Sequence, residues 1–130
     1  VNDTTNARSR TRPDVEAVAA ALGRRRYRFS DEAELQTAIA QVFDAEGIAY
    51  TREFDLGPAG RVDFMLDAGL AVEVKVHDSP SKVARQAVAY CGSSLVSALV
   101  VVTARARAAN LPSEIMGKPV RTVALWKGLL

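Results

Sequence analysis

The strongest constraint on how this chain can fold is a pair of alternating segments with a four-residue connector. Val62, Phe64 and Leu66 share one parity, and Val72, Val74 and Val76 share another. In a strand parity means face, so these six apolar residues point at a core. The connector Asp67-Ala68-Gly69-Leu70 is too short for a parallel crossover, so the strands form an antiparallel hairpin. Directly opposed residues share a face. The pattern therefore predicts Phe64 opposite Val74 and Val62 opposite Val76, around an odd-length loop such as Ala68-Gly69-Leu70 with Gly69 at positive φ. Asp63 then lies across from Lys75, with Glu73 one step along the same face. Arg61 and His77 complete the polar set.

The elements around the hairpin follow from the same rules. Pro13 and the helical spacing of Val15, Val18, Ala19 and Leu22 predict a short helix ended by Gly23. A longer helix starts near Ser30 as N-cap, with Asp31 and Glu32 in its first turn. It buries Leu35, Ile39, Val42 and Phe43 and stops before Gly47. Residues 48–55 read as a strand and Gly57-Pro58-Ala59-Gly60 as a turn. Ser79-Pro80 opens a helix to about Cys91, and residues 97–102 read as a strand buried on both faces. Residues 111–116 are predicted as a short helix and 120–126 as a last strand, with Trp126 in the core.

Asp63, with the Glu73-x-Lys75 pair on the next strand, resembles the signature of the PD-(D/E)XK nuclease superfamily. Val62 stands where many members have proline. The order helix, three strands, helix, strand over roughly residues 30–103 is similar to that family's common core. The resemblance implies an α/β fold with a restriction-endonuclease-like core, a central mixed β-sheet flanked by helices. It implies Asp63 and Glu73 as ligands of Mg2+ or Mn2+, with the Val74 carbonyl as a third oxygen. Lys75 would orient the attacking water and stabilise developing negative charge. Many members add a helix glutamate. Glu32 lies closer than Glu34 to the core stripe on a helical wheel, although both also suit a helix N-terminus. Glu53 is a third nearby acid.

Gln86 and Tyr90 on the following helix are similar to the glutamine and tyrosine of the RecB-like branch, which sit beside the active site and the substrate strand; the resemblance implies a catalytic role for Gln86, bonding a phosphate or orienting the catalytic lysine. With Lys82 they recur every four residues, forming one stripe. Lys82 and Arg85 are candidate phosphate contacts. So are Arg24, Arg25, Arg26 and Arg28, because residues 1–28 carry seven arginines against three acids in a chain of net charge +2. His77 reads as a rim residue.

At 130 residues the chain is expected to be one domain over 13–130, with residues 1–12 a disordered basic tail. No apolar run is long enough to span a membrane, and no signal peptide is visible. The single Cys91 fits packing in a reducing cytoplasm, that of a bacterial or phage-infected cell. These readings converge on a metal-dependent deoxyribonuclease directed by DNA structure or ends, with a homodimer or other homo-oligomer as one form. The alternative is a non-catalytic or partner-activated DNA-binding module on the same fold.

Overall fold

The computed structural model describes residues 14–104 and 110–125. The expected basic tail, Arg8, Arg10, Arg12 and Trp126 lie outside them. Helix α1 (Val15–Gly23) is capped by Asp14, whose side chain accepts from the Ala17 amide at 3.0 Å. Tyr27, buried just beyond its end, donates its hydroxyl to the Leu22 carbonyl at 2.7 Å. That bond satisfies one carbonyl the helix end leaves open. Helix α2 (Glu32–Glu46) is capped by Asp31, not by Ser30. Asp31 accepts from the Glu34 amide at 2.8 Å, while the Glu34 carboxylate accepts from the Ser30 amide at 2.8 Å and from its hydroxyl. This is a capping box displaced by one residue. Gly47 ends α2 at φ 70°, the left-handed cap that glycine adopts most easily.

Burial pushes the Tyr27 phenol up to about 12. Raised above its ordinary value of 10.0, the group binds its proton more tightly folded than unfolded. Its contribution to stability is therefore complete below pH 10 and lost as pH climbs towards 12. Tyr27→Phe is expected to cost about 1 kcal/mol in urea denaturation at pH 7 and to flatten the alkaline limb of the stability profile.

Six described strands form one mixed sheet in the order β1-β2-β3-β4-β6-β5. β1 (Tyr50–Asp55), β2 (Arg61–Leu66) and β3 (Leu70–Lys75) run antiparallel in sequence. Helix α3 (Pro80–Cys91) then carries the chain over the sheet, and β4 (Ala98–Ala104) pairs parallel with β3. β6 (Lys118–Leu125) lies parallel to β4, and β5 (Glu114–Ile115) pairs antiparallel with β6 at the edge. Residues 111–116 thus hold a short strand where the sequence suggested a helix. Met116 and Gly117, at φ 53° and 76°, turn it back on β6 in the manner of a tight hairpin. Two residues of strand are too short a span for period-two alternation to show.

Both sheet faces are covered. On one, Val18 and Leu22 of α1 and Leu35, Ile39, Val42 and Phe43 of α2 pack on Phe64, Val72, Val74, Val100 and Val102. On the other, Val83, Ala87, Tyr90 and Cys91 of α3 pack on Met65, Ala71, Leu99 and Val101. The run 97–102 is apolar because β4 faces a core on each side, as predicted. Cys91 is fully buried and free.

The hairpin register differs from the predicted one. Phe64 faces Val72 and Met65 faces Ala71, so each β2 residue pairs two positions earlier on β3 than expected. The three-residue connection is Asp67–Gly69, with Ala68 and Gly69 both at positive φ, and Leu70 is already in the strand. A slip of two keeps every side chain on its face, so alternation alone does not exclude it. Burying Leu66 and Leu70 at the mouth of the loop decides for the observed pairing. Val62 also departs from its parity, packing beside Tyr90 and Leu56 on the α3 side. At this point the β1–β2 ladder skips a step, between Arg52–Phe64 and Phe54–Val62, where Glu53 takes φ 55°. The register is the same on both sides of this gap, so no residue is inserted, and the left-handed backbone of Glu53 interrupts the regular alternation beside Val62.

Candidate active site

The β2–β3 ladder stops after Phe64–Val72, and carboxylates take over the next backbone bonds. The Val74 amide donates to Asp63 Oδ2 at 2.7 Å, and the Asp63 amide donates to Glu73 Oε1 at 3.0 Å. Continuing the register by one step sets Asp63 against Glu73, not against Lys75. The two acids therefore face each other directly across opened strands. Glu73 is 4% exposed. Its second oxygen, Oε2, accepts from the Tyr90 hydroxyl at 2.8 Å and pairs with Lys75 Nζ at 3.3 Å. The Tyr90 hydroxyl is also 3.3 Å from the Arg61 carbonyl, tying α3 to both strands.

Packing two acids this closely has electrostatic consequences. Burial, and after it the Glu73 carboxylate, pushes the Asp63 carboxyl up to about 7 from its ordinary 3.8. Like charges at short range in a partly dry site resist joint ionisation. Burial alone would pull the Lys75 ammonium down, but the Glu73 and Asp78 carboxylates outweigh it and hold it above its ordinary value. Burial also raises the Tyr90 phenol, with Glu73 adding to the rise.

Glu32 is the helix acid that arrives. It sits in the first turn of α2 and its Oε1 accepts from the Val76 amide at 3.2 Å. Burial raises its carboxyl against the lowering effect of that amide, and Lys75, Asp63 and Asp78 all act on it electrostatically. Glu34 is committed to the capping box. Glu53 is exposed and pairs with Arg61 at 3.1 Å. Gln86 is half-buried, and its Oε1 is sealed from solvent with no hydrogen-bond partner among the described residues. Such an orphaned acceptor costs about 1–3 kcal/mol, so it marks a position where a donor from a ligand or water would be stabilising.

The basic residues do not form one patch. Arg24 and Arg25 pair with Glu46 at 3.5 and 3.3 Å. Glu46 closes the end of α2 opposite Glu32, about 21 Å away at helical rise. Arg26 is exposed. Arg28 lies towards the near end, lining a groove with Asp31, Glu34, Thr37 and Gln41. Lys82 pairs with Asp78 at 3.3 Å, and Arg85 and His77 are exposed. Two residues had no functional assignment from sequence. Asp78 pairs with Lys75 at 3.2 Å, but just before the cap Ser79 it reads as an ordinary helix-start charge. Thr103, 1% exposed, pairs with Lys75 across β3 and β4. Nothing short of the strand register could reveal that neighbour.

A search of protein-family models, of curated proteins and of solved structures finds no match to this chain. The chemistry of the site rests on its own residues. Among the described residues, no three His, Cys, Asp or Glu side chains form a group that could hold a metal ion. A magnesium-class cation needs only one or two carboxylates when waters complete its shell. Asp63 and Glu73 fit that demand: hard oxygens, mutually repelling, in a place where a cation would relieve the repulsion. The amide of Val74 is held by Asp63, which fixes the backbone carrying the carbonyl suggested as a third oxygen. No helix among the described residues is long and apolar enough to cross a membrane.

Proposed function

We propose that this chain is a divalent-metal-dependent deoxyribonuclease on a restriction-endonuclease-like core, acting on DNA structure or ends in a bacterial or phage-infected cytoplasm. The observation that carries the reading is the face-to-face Asp63–Glu73 pair with Lys75 3.3 Å from Glu73. A purely structural hairpin would complete its ladder there with backbone bonds. Here two carboxylates replace them, and the Asp63 carboxyl is raised to about 7. Strained titratable clusters of this kind concentrate at functional sites.

Asp63 and Glu73 would hold Mg2+ or Mn2+, which when bound polarises a phosphate and lowers the pKa of a water. Lys75 would orient that water and offset charge on the phosphate. Tyr90 fixes the Glu73 carboxylate and the Arg61 carbonyl, keeping the opened strands in place. Gln86 offers its buried Oε1 to a donor in the bound complex. Lys82 and Arg85, on exposed parts of α3, suit phosphate contact, as does Arg28 near the start of α2. The pairing of Arg24 and Arg25 with Glu46 makes them the weaker candidates. Four-way-junction cleavage would need two sites and so a symmetric dimer.

The test is a cleavage assay on linear duplex, nicked, single-stranded, flap and four-way-junction DNA with Mg2+ or Mn2+. Lys75→Ala is expected to lower the rate by about 10²–10³-fold. A thermal melt alongside should show the variant folded, since Glu73 keeps its bonds from Asp63 and Tyr90. Binding without cleavage by the wild-type chain would replace this reading with that of a binding module.

A further inference from the structure

We propose that Asp78 is a second anchor for Lys75, keeping the ammonium in position when a divalent cation draws on Glu73. The inference rests on the nuclease reading above and extends it to a positioning residue. Both oxygens of Glu73 are engaged. Its Oε1 is taken by the Asp63 amide, and its Oε2 is shared by the Tyr90 hydroxyl and Lys75 Nζ. A cation held by this carboxylate would compete most directly with the ammonium, because both are positive charges drawn to the same carboxylate. Lys75 must then keep its place by another contact.

Asp78 supplies one. Its Oδ2 is 3.2 Å from Lys75 Nζ, as close as Glu73 is at 3.3 Å. Its position is fixed independently of the acids on the strands. It directly precedes the N-cap Ser79, whose side chain accepts from the Lys82 amide at 3.3 Å, and Pro80 begins the helix. Its other oxygen is 3.3 Å from Lys82 Nζ. The two lysines hold the Asp78 carboxyl below its ordinary value despite the opposing effect of burial. Lys75 is 12% exposed at the side chain and Asp78 26%, so the contact is partly shielded from solvent. The chain Lys75–Asp78–Lys82 also links the site to the outer face of α3. A phosphate engaging Lys82 would free more of Asp78 for Lys75.

The two anchors can be separated without metal or DNA. Acylation of Lys75 by a small reagent, read by peptide mass spectrometry, would be compared in four full-length chains: wild type, Asp78→Asn, Glu73→Gln and the double variant. Either anchor alone should hold the amine, so both single variants should react within about twofold of wild type. The double variant should react at least about tenfold faster, the size of coupling expected of neighbouring groups. A double variant no faster than the singles overturns the proposal, as does Glu73→Gln alone reacting as fast as the double. Thermal melts screen for loss of fold, and Asp78→Glu should restore the slow rate in the Glu73→Gln background. Adding Mn2+ should then speed Lys75 labelling in Asp78→Asn and not in wild type. Failure of Mn2+ to bind, read by water-proton relaxation, would sink the metal-centre reading, while the metal-free comparison still decides the anchors. With DNA, Asp78→Asn should lower kcat at unchanged KM.

Discussion

Asp63→Asn is expected to abolish metal-dependent cleavage and, at the same time, to make the metal-free protein more stable. The loss follows from removing one of two carboxylates that would hold the cation. A cation's effect on phosphoryl charge is worth several kcal/mol, so the rate should fall by at least about a thousandfold. The gain follows from the Asp63 carboxyl being raised to about 7 from 3.8, chiefly by burial and next by Glu73. An acid whose folded pKa is raised stabilises the fold fully below its unfolded value and loses that contribution as pH climbs through the folded one. Asparagine imitates the protonated form at every pH and still offers an oxygen to the Val74 amide. The melting temperatures of variant and wild type should therefore converge near pH 4 and separate as pH rises to about 7. At pH 8, without metal, Asp63→Asn should melt higher by about 4 °C, the equivalent of about 1 kcal/mol in a domain of this size. The gain is smaller than the full shift implies, because the carboxylate is partly solvated. A variant less stable than wild type at pH 8 would show that Asp63 is a structural acid, and the case for a strained site would fall. Residues kept at a cost to stability are those that function requires.

The second large effect concerns the hairpin tip. Gly69→Ala is expected to destabilise the fold by about 2–4 kcal/mol in urea denaturation, combining left-handed backbone strain with a clash. Gly69 takes φ 78°, and an added Cβ would lie 2.7 Å from the Leu95 carbonyl oxygen and 3.1 Å from the Ser97 amide. Both are backbone atoms, and the Ser97 amide donates to the Gly69 carbonyl at 2.8 Å. Neither partner can rotate aside as a side chain would. Gly47→Ala provides the comparison. Its φ is 70° and a Cβ there meets nothing within 4 Å, so it should cost only about 1 kcal/mol. Equal losses in the two variants would mean that strain alone matters and that the docking of the tip before β4 is unimportant.

That tip also explains why the register was not legible. Alternation says which face each residue takes, and it says so modulo two. Phe64 opposite Val72 and Phe64 opposite Val74 satisfy the same pattern. The choice between them belongs to the loop, where Ala68 and Gly69 both turn left-handed, and to the surface on which the loop docks. The consequence for chemistry is direct. Asp63 meets Glu73 rather than Lys75, so the acids repel each other and the lysine bridges outward to Asp78.

Other parts were legible for identifiable reasons. Helix α2 places Glu32 and Glu34 on different sides of its axis, and the wheel favoured Glu32, which reaches the Val76 amide. Ser30 and Asp31 are equally good caps in sequence, and only the Asp31 bond to the Glu34 amide separates them. The arginines of residues 24–28 form a cluster in sequence but not in space. Arg24 and Arg25 turn to Glu46, while Arg28 lies beside Asp31.

The sequence by itself determined the order of elements as far as β4, the faces of most strand residues and the presence of two acids and a lysine on one hairpin. Those properties are local: caps, turn residues and periods of 2 and 3.6 act through neighbours along the chain. Only the tertiary structure decided the register, the opening of the ladder at Asp63, the turning of Val62 to the α3 side beside the left-handed Glu53 and the pairing of Lys75 with Asp78. These depend on how far one strand slides against another and on what each loop packs against. That choice is made by burying surfaces distant in sequence, to which a local pattern is blind.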